Sequence, residues 1–195
     1  NQYGGQSVDV SHLGKYLRIS RDKFKKKITS KHKGKISKEE IDALVDERLR
    51  EELSAGVQTI QYQINTLMTT NGQTPFVTLF LNLKEDDPYI EENALIIEEI
   101  LNQRLQGIKN EKGVYVTPAF PKLIYVLDEH NALKGGKYDY LTHLAVKCSA
   151  KRMYPDYISS KKMREIYEGN VFSPMGCRSF LSPWKDENGN YKWEG

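Results

Sequence analysis

The chain has 195 residues and a mass of 22.5 kDa, with 38% hydrophobic and 28% charged residues, enough to bury the core of one domain or a little more. Its longest apolar run, 76–83, contains Asn82 and is far too short to cross a bilayer, which excludes a helical membrane anchor within it. The net charge of +3 conceals an imbalance: residues 15–35 hold ten Lys/Arg against the single acid Asp22, leaving 19 basic and 25 acidic residues elsewhere, so the basicity is local and asks for a local anionic partner.

The opening, "NQYGGQSVDV", lacks both a basic start and an apolar stretch, so no signal peptide is expected. Two cysteines, Cys148 and Cys177, make no disulfide framework, and a reducing, cytoplasmic setting follows. The chain begins without methionine and ends in "NYKWEG", which reads as the middle of a strand; the expectation is an internal piece of a longer polypeptide. The basic stretch Lys15–Lys35 reads either as a solvated loop or as an anion site. It has only Tyr16 and Phe24 as aromatics and no nucleic-acid-binding motif. A nucleoside triphosphate would satisfy the same lysines with a compact anion, and charge alone does not choose between these.

"SKEE", Ser37–Glu40, is a helix capping box: the serine hydroxyl accepts a free backbone N–H while the glutamate reaches back. Ile41, Leu44, Val45, Leu49, Leu53, Val57, Ile60, Ile64 and Leu67 then recur at threes and fours, predicting one amphipathic helix of roughly 45 Å. Asn71-Gly72 ends it as a turn. "PFVTLFLNL" follows as a strand buried on both faces, of the kind found in parallel sheets. Asp87-Pro88 signals a helix start, and Ala94, Leu95, Ile97, Leu101 and Leu105 carry that helix to Gly107. "KLIYVLDE", Lys122–Glu129, is a second buried strand. A helix over about Tyr138–Met153 and a shorter one over Ser160–Glu168, closed by Gly169, complete the pattern. Strand, helix, strand, helix implies an α/β fold with a parallel sheet.

Cys148 falls on the apolar side of a predicted helix and reads as a small buried hydrophobe. Cys177 differs, because "PMGCRSFLSPW", Pro174–Trp184, forbids regular structure around it. No second cysteine stands near enough for a redox pair or a zinc knuckle. A phosphatase loop would need arginine where Pro183 stands. Arg178 beside the thiol would lower its pKa, yet no histidine follows to serve as a base. Asp128-Glu129-His130 closes a predicted parallel strand, the side on which α/β folds build sites; solvated strand-end charge is the equal alternative. His12, His32 and His143 have no ligand spacing.

Four ordered stretches carry a resemblance: "INTLMTTNGQTPFVTLFLNL" (64–83), "FPKLIYVLDE" (120–129), "KRMYPDYIS" (151–159) and "MGCRSFLSPW" (175–184), preceded by "NQYGGQS". Together they resemble the anaerobic, class III ribonucleoside-triphosphate reductases over nearly the whole chain, most weakly in the basic stretch. The resemblance implies part of a ten-stranded α/β barrel of two antiparallel halves with a finger loop through its centre. It divides the chain into a helical dimerisation and effector region with a basic loop (1–70) and a barrel portion ending in the finger loop (71–195). Cys177 is implied as the cysteine that becomes a thiyl radical and takes the ribose 3′ hydrogen, with Met175, Gly176, Ser179, Gln73 and Thr74 beside the ribonucleoside triphosphate. A neutral thiol held against a carbon needs no base or metal. Arg21, Lys25, Lys26, Lys27 and Asn71 are implied near an ATP or deoxynucleotide effector, with 71–74 relaying its identity to the substrate pocket.

The resemblance further implies a homodimer and a radical on a glycine near the family's C-terminus. An activase carrying S-adenosylmethionine and an iron–sulfur cluster installs that radical, and a four-cysteine zinc site accompanies it. Neither the glycyl-radical motif nor the zinc cysteines occur in these 195 residues, so the stretch alone is expected to be inactive, with no metal site of its own, no membrane and no nucleic-acid partner. The alternatives are a glycyl-radical enzyme of the pyruvate formate-lyase type, which usually has adjacent catalytic cysteines, and a nucleotide-binding and dimerisation module without turnover.

Overall fold

A computed structural model of the chain describes residues 5–67, 72, 74–174 and 184–192. Four strands form one sheet in the order β1 (Gly5–Asp9), β2 (Phe76–Leu81), β5 (Lys122–Leu127), β6 (Asp156–Ser159), all neighbours parallel. The expected α/β class with a parallel sheet and helices is what the chain adopts. β2 and β5 are the two apolar runs legible in the sequence, and they occupy the centre, where both faces are covered. β1 and β6 flank them and are additions to the expected pattern. Their sequences, GQSVD and DYIS, carry one aliphatic side chain each, Val8 and Ile158, so neither reads as a buried run.

Between β1 and β2 come a single 3₁₀ turn and two helices, α1 (Gly14–His32) and α2 (Lys38–Thr66). The capping box at the start of α2 is present, with Ser37 Oγ accepting from Glu40 N at 3.1 Å and Glu40 Oε2 accepting from Ser37 N at 2.7 Å. The basic stretch is not a loop: it is the helix α1, a correction to the expectation. Leu13, Leu17, Phe24 and Ile28 recur at helical spacing, and Leu17 is buried with Leu13 and Phe24 packed against the same core. The lysines occupy the remaining faces and hide that stripe.

Helix α3 (Ile90–Gln106) starts three residues after Asp87. Asp87 acts ahead of it, its carboxylate accepting from Tyr89 N at 2.7 Å and from Asn93 Nδ2 at 3.0 Å. The helix stops at Gly107, whose φ of +86° suits glycine; an added Cβ would also stand 2.6 Å from the Val116 carbonyl oxygen. A small antiparallel hairpin, β3 (Ile108–Lys109) with β4 (Tyr115–Val116), leads to β5. After it come α4 (Glu129–Ala132), α5 (Asp139–Arg152), β6, α6 (Ser160–Ile166) and a second hairpin, β7 (Trp184–Lys185) with β8 (Tyr191–Lys192).

The helices α1, α2, α3 and α5 share one core with one face of the sheet. Leu79, Leu81, Leu123 and Tyr125 meet Leu17, Leu49, Val57, Ile97, Leu101, Leu141 and Cys148 there. Because side chains alternate along a strand, the residues between point the other way. Phe80, Ile124 and Val126 form a second, smaller cluster, packed by Ile158 and Val171.

Candidate functional site

On the second face of the sheet, no helix residue packs on the Phe80–Ile124–Val126 cluster among the described residues; Ile158 and Val171 do so instead. The in-register rows of the sheet place Ser7 beside Thr78 on β1 and β2, and Phe80 beside Ile124 on β2 and β5. After α6 the chain turns at Gly169, and Val171 settles on the Phe80–Ile124–Val126 cluster while Phe172 meets Tyr167 edge-on at 4.8 Å. Pro174 is buried at the end of this run. Its carbonyl accepts from Ser7 Oγ at 2.8 Å and from Ser173 Oγ at 3.0 Å. The approach to residue 175 is therefore tied across the chain to β1.

At the C-terminal ends of β2 and β5 the same face opens into a cleft of about 610 Å³, lined by Asn82, Lys84, Asp128, Arg164 and neighbours. Asp128 accepts from Glu129 N at 2.8 Å, capping α4, and Arg164 Nη2 donates to its Oδ2 at 2.6 Å. Burial pushes the Asp128 carboxyl up, but the bonds from Arg164 and Glu129 N outweigh it and hold the group below its ordinary value. Glu129 is exposed, and His130 faces the Tyr138 ring edge-on at 6.0 Å. Of the triplet, Asp128 alone reaches the cleft, as a helix cap and ion-pair partner.

Helix α1 sorts its cations into two sets. Inward, Arg18 grips the buried Glu92 of α3 through two bonds, Nε to Oε1 at 2.5 Å and Nη2 to Oε2 at 2.8 Å, and donating to Glu92 raises the Arg18 pKa. Arg21 donates to Asp46 Oδ1 at 2.7 Å and brings its Nε to 3.4 Å from Glu92, while Lys25 donates to Asp42 at 2.7 Å. The close approach of α1 to α3 needs Gly14, where a Cβ would fall 2.4 Å from Asn93 Oδ1. Outward, Lys23, Lys26 and Lys27 line an open hollow of about 740 Å³ with Asp22 and Ser30. Lys26 and Lys27 make no ion pair among the described residues.

Two further arginines hold the lead-in to β5. Arg104, 2% exposed, donates to the carbonyls of Pro118 (2.7 Å) and Pro121, and burial lowers its pKa to about 10. Arg152 donates to the Leu105 carbonyl at 3.0 Å and to that of Gln106, closing the C-terminus of α3. Neither was singled out in the sequence, where both look like ordinary helix-surface charges. Cys148 is fully buried and free, its thiol pushed up to about 11 by burial, as expected of a core residue.

Of the implied substrate residues, Thr74 is exposed just before β2, at the opposite end of the strand from the cleft. Met175, Gly176, Cys177, Ser179, Asn71 and Gln73 lie outside the described residues. Ser7 was missed, although it ends the quoted "NQYGGQS", because its partner stands 167 residues away in sequence. Among the described residues, no cluster of three His, Cys, Asp or Glu side chains has metal-binding geometry, and no helix is long and apolar enough to cross a membrane.

A family model described as anaerobic ribonucleoside-triphosphate reductase matches residues 1–194. Relatives bearing the same description include the protein of Enterobacteria phage T4, 36% identical over 200 residues, 100% of this chain and 31% of that protein. The protein of Escherichia coli (strain K12) is 41% identical over 140 residues, 71% of this chain and 18% of its own length. That of Haemophilus influenzae is 33% identical over 189 residues, with 95% and 25% covered. The chain thus spans less than a third of the length of each of these relatives.

Proposed function

The chain belongs to the anaerobic ribonucleoside-triphosphate reductase family, and we propose that it is part of the catalytic subunit that reduces ribonucleoside triphosphates to deoxyribonucleoside triphosphates, with Cys177 as the radical-bearing cysteine. In this reading the parallel sheet is a portion of a ten-stranded barrel, its helix-covered face outermost. The other face looks into the barrel, and residues 171–174 begin the finger loop. The observation that carries the reading is the Ser7–Pro174 hydrogen bond together with Val171 on the inner cluster. They bring the chain to within three residues of Cys177 on the face whose cluster is packed by no helix residue among the described residues.

Cys177 would act as a thiyl radical that takes the ribose 3′ hydrogen atom, becoming S–H and leaving the unpaired electron on C3′. A radical on a glycine elsewhere in the subunit, installed by a separate S-adenosylmethionine and iron–sulfur activase, supplies that one-electron chemistry. Within this chain the requirement is placement of a neutral thiol against a carbon, since effective proximity carries a large share of such a barrier. Met175, Gly176 and Ser179 would border the ribose, and Gln73 and Thr74 the base side.

Helices α1 and α2 would contribute to a homodimer interface and to the effector site, with Lys26 and Lys27 as the cations available to ATP or a deoxynucleotide. Asn71 begins the 71–74 stretch relaying effector identity to the substrate. The zinc site of the family would lie in another part of the subunit, and the setting is cytoplasmic. The direct test is Cys177→Ser in the full-length activated enzyme. Nucleotide reduction is expected to vanish, because a serine O–H cannot replace the S–H bond at comparable energy; retained turnover overturns the assignment.

A further inference from the structure

We propose that Ser7 is a positioning residue that sets the direction in which the chain leaves Pro174 toward Cys177, a role that rests on the reading of Cys177 given above. A residue has two soft backbone dihedrals. At Pro174 the ring holds φ near about −65°. The remaining angle, ψ, is the one that aims the carbonyl, and the Pro174 carbonyl oxygen accepts from Ser7 Oγ at 2.8 Å and from Ser173 Oγ at 3.0 Å. A carbonyl oxygen has two lone pairs, and here hydroxyls take both. Holding the carbonyl holds the peptide plane that carries the nitrogen of residue 175. Both dihedrals of the last described residue before Cys177 are thus fixed, one covalently and one by hydrogen bonds.

The two donors differ in how firmly they are mounted. Ser173 is the neighbouring residue and moves with the segment it holds. Ser7 sits in the middle of β1, with Gln6, Ser7 and Val8 in register with Val77, Thr78 and Leu79 of β2. Thr78 is 2% exposed and Leu79 belongs to the main core. Ser7 therefore refers the Pro174 carbonyl to the rigid sheet. Val171, packed on Phe80, Ile124 and Val126, fixes the other end of the same short run. Between these points the run has no freedom to slide along the sheet. A displacement of about 1 Å at a reacting atom can lower a rate on the order of a hundredfold, so a tether of this kind bears on turnover more than on stability.

The experiment uses the full-length activated enzyme with Ser7→Ala, Ser7→Thr and Cys177→Ser. Ser7→Ala is expected to lower kcat about tenfold or more, with KM for the ribonucleoside triphosphate, the amount of glycyl radical seen by electron paramagnetic resonance, and the unfolding midpoint unchanged. Ser7→Thr, which keeps a hydroxyl donor, is expected to recover most of that loss. Wild-type kcat in Ser7→Ala overturns the positioning role. So does a loss that threonine does not rescue, or one that comes with a matching fall in radical content or thermal stability. If Ser7→Ala does not fold, Ser173→Ala removes the other donor to the same carbonyl and must show a smaller loss of kcat with the same unchanged KM; full activity there overturns the proposal. Cys177→Ser separates the two claims: activity in that variant defeats the radical-cysteine reading, whereas its inactivity beside a normal Ser7→Ala defeats the tether alone.

Discussion

The two faces of the β1–β2–β5–β6 sheet come from the same strands in the same register, yet they are finished in opposite ways. On the helix-covered face, Leu81, Leu123, Ile97, Leu101 and Leu141 are all fully buried, and the residues that meet there come from α1, α2, α3 and α5. On the other face three residues, Phe80, Ile124 and Val126, form the buried cluster, and Ser7, Asp9, Asn82 and Asp128 share their alternation with polar side chains. The first face has the composition that maximises burial of apolar area. The second keeps groups that hydrogen-bond to an incoming segment and leaves an open cleft at the strand ends. Stability and placement are thus divided across one layer of backbone, so a substitution on either face has a characteristic signature.

Leu123→Ala offers the largest contrast. Leu123 is fully buried against the helices, and its truncation is expected to destabilise the protein by about 2–5 kcal/mol through lost transfer energy and a residual cavity. Denaturant titration of the full-length protein measures this. The effect on kcat at a temperature where the variant stays folded should be small. If Leu123→Ala instead left the midpoint unchanged, the division between a stabilising face and a placing face would break.

Much of the stabilising face was legible in the sequence. The runs 76–83 and 122–127 have no polar interruption on their helix-facing positions, and the capping box at Ser37 and the spacing of α2 and α5 need only local chemistry to be read. β1 escaped because a strand with one apolar face and glycine at its start gives a weak period-2 signal over five residues. α1 escaped because its apolar stripe is thin and three of its charges are paired with residues far off in sequence: Arg18 with Glu92, Arg21 with Asp46, Lys25 with Asp42. The placing face was the least legible. Cys177 stood out through its prolines and its isolation, but Ser7 is an unremarkable polar residue until Pro174 is brought beside it. Tertiary hydrogen bonds of this span leave no periodicity to detect.

The cleft end of the placing face should show itself in acid. The Asp128 carboxyl is held below its ordinary value by Arg164 and by the α4 N-terminus, against burial. A group whose pKa is lower folded than unfolded stabilises the fold fully above the unfolded value, about 3.9 for aspartate, and that contribution is lost as pH falls through the folded value. Thermal unfolding followed from pH 6 downward should therefore decline below about pH 4, and Asp128→Asn should flatten that decline while lowering stability at neutral pH. An unchanged acid limb in Asp128→Asn would mean that the Arg164 pair has no thermodynamic weight.

The smallest expected effect tests the sorting of cations on α1. Arg21 and Lys25 are already committed to Asp46 and Asp42, so an added anion would compete with carboxylates in place, whereas Lys26 and Lys27 face the open hollow. Lys26→Ala and Lys27→Ala in the full-length protein should each weaken binding of dATP, dGTP or dTTP by roughly threefold, the scale of one screened surface charge, without moving the unfolding midpoint. The loss should shrink as salt is raised, because exposed charges are screened within about 10 Å at 0.1 M ionic strength. Lys25→Ala should do the reverse, loosening the α1–α2 contact with little change in affinity. If Lys25 proved the stronger determinant of effector binding, the ion pair to Asp42 would have to open when the nucleotide arrives, and the inward and outward sets on α1 would be one site.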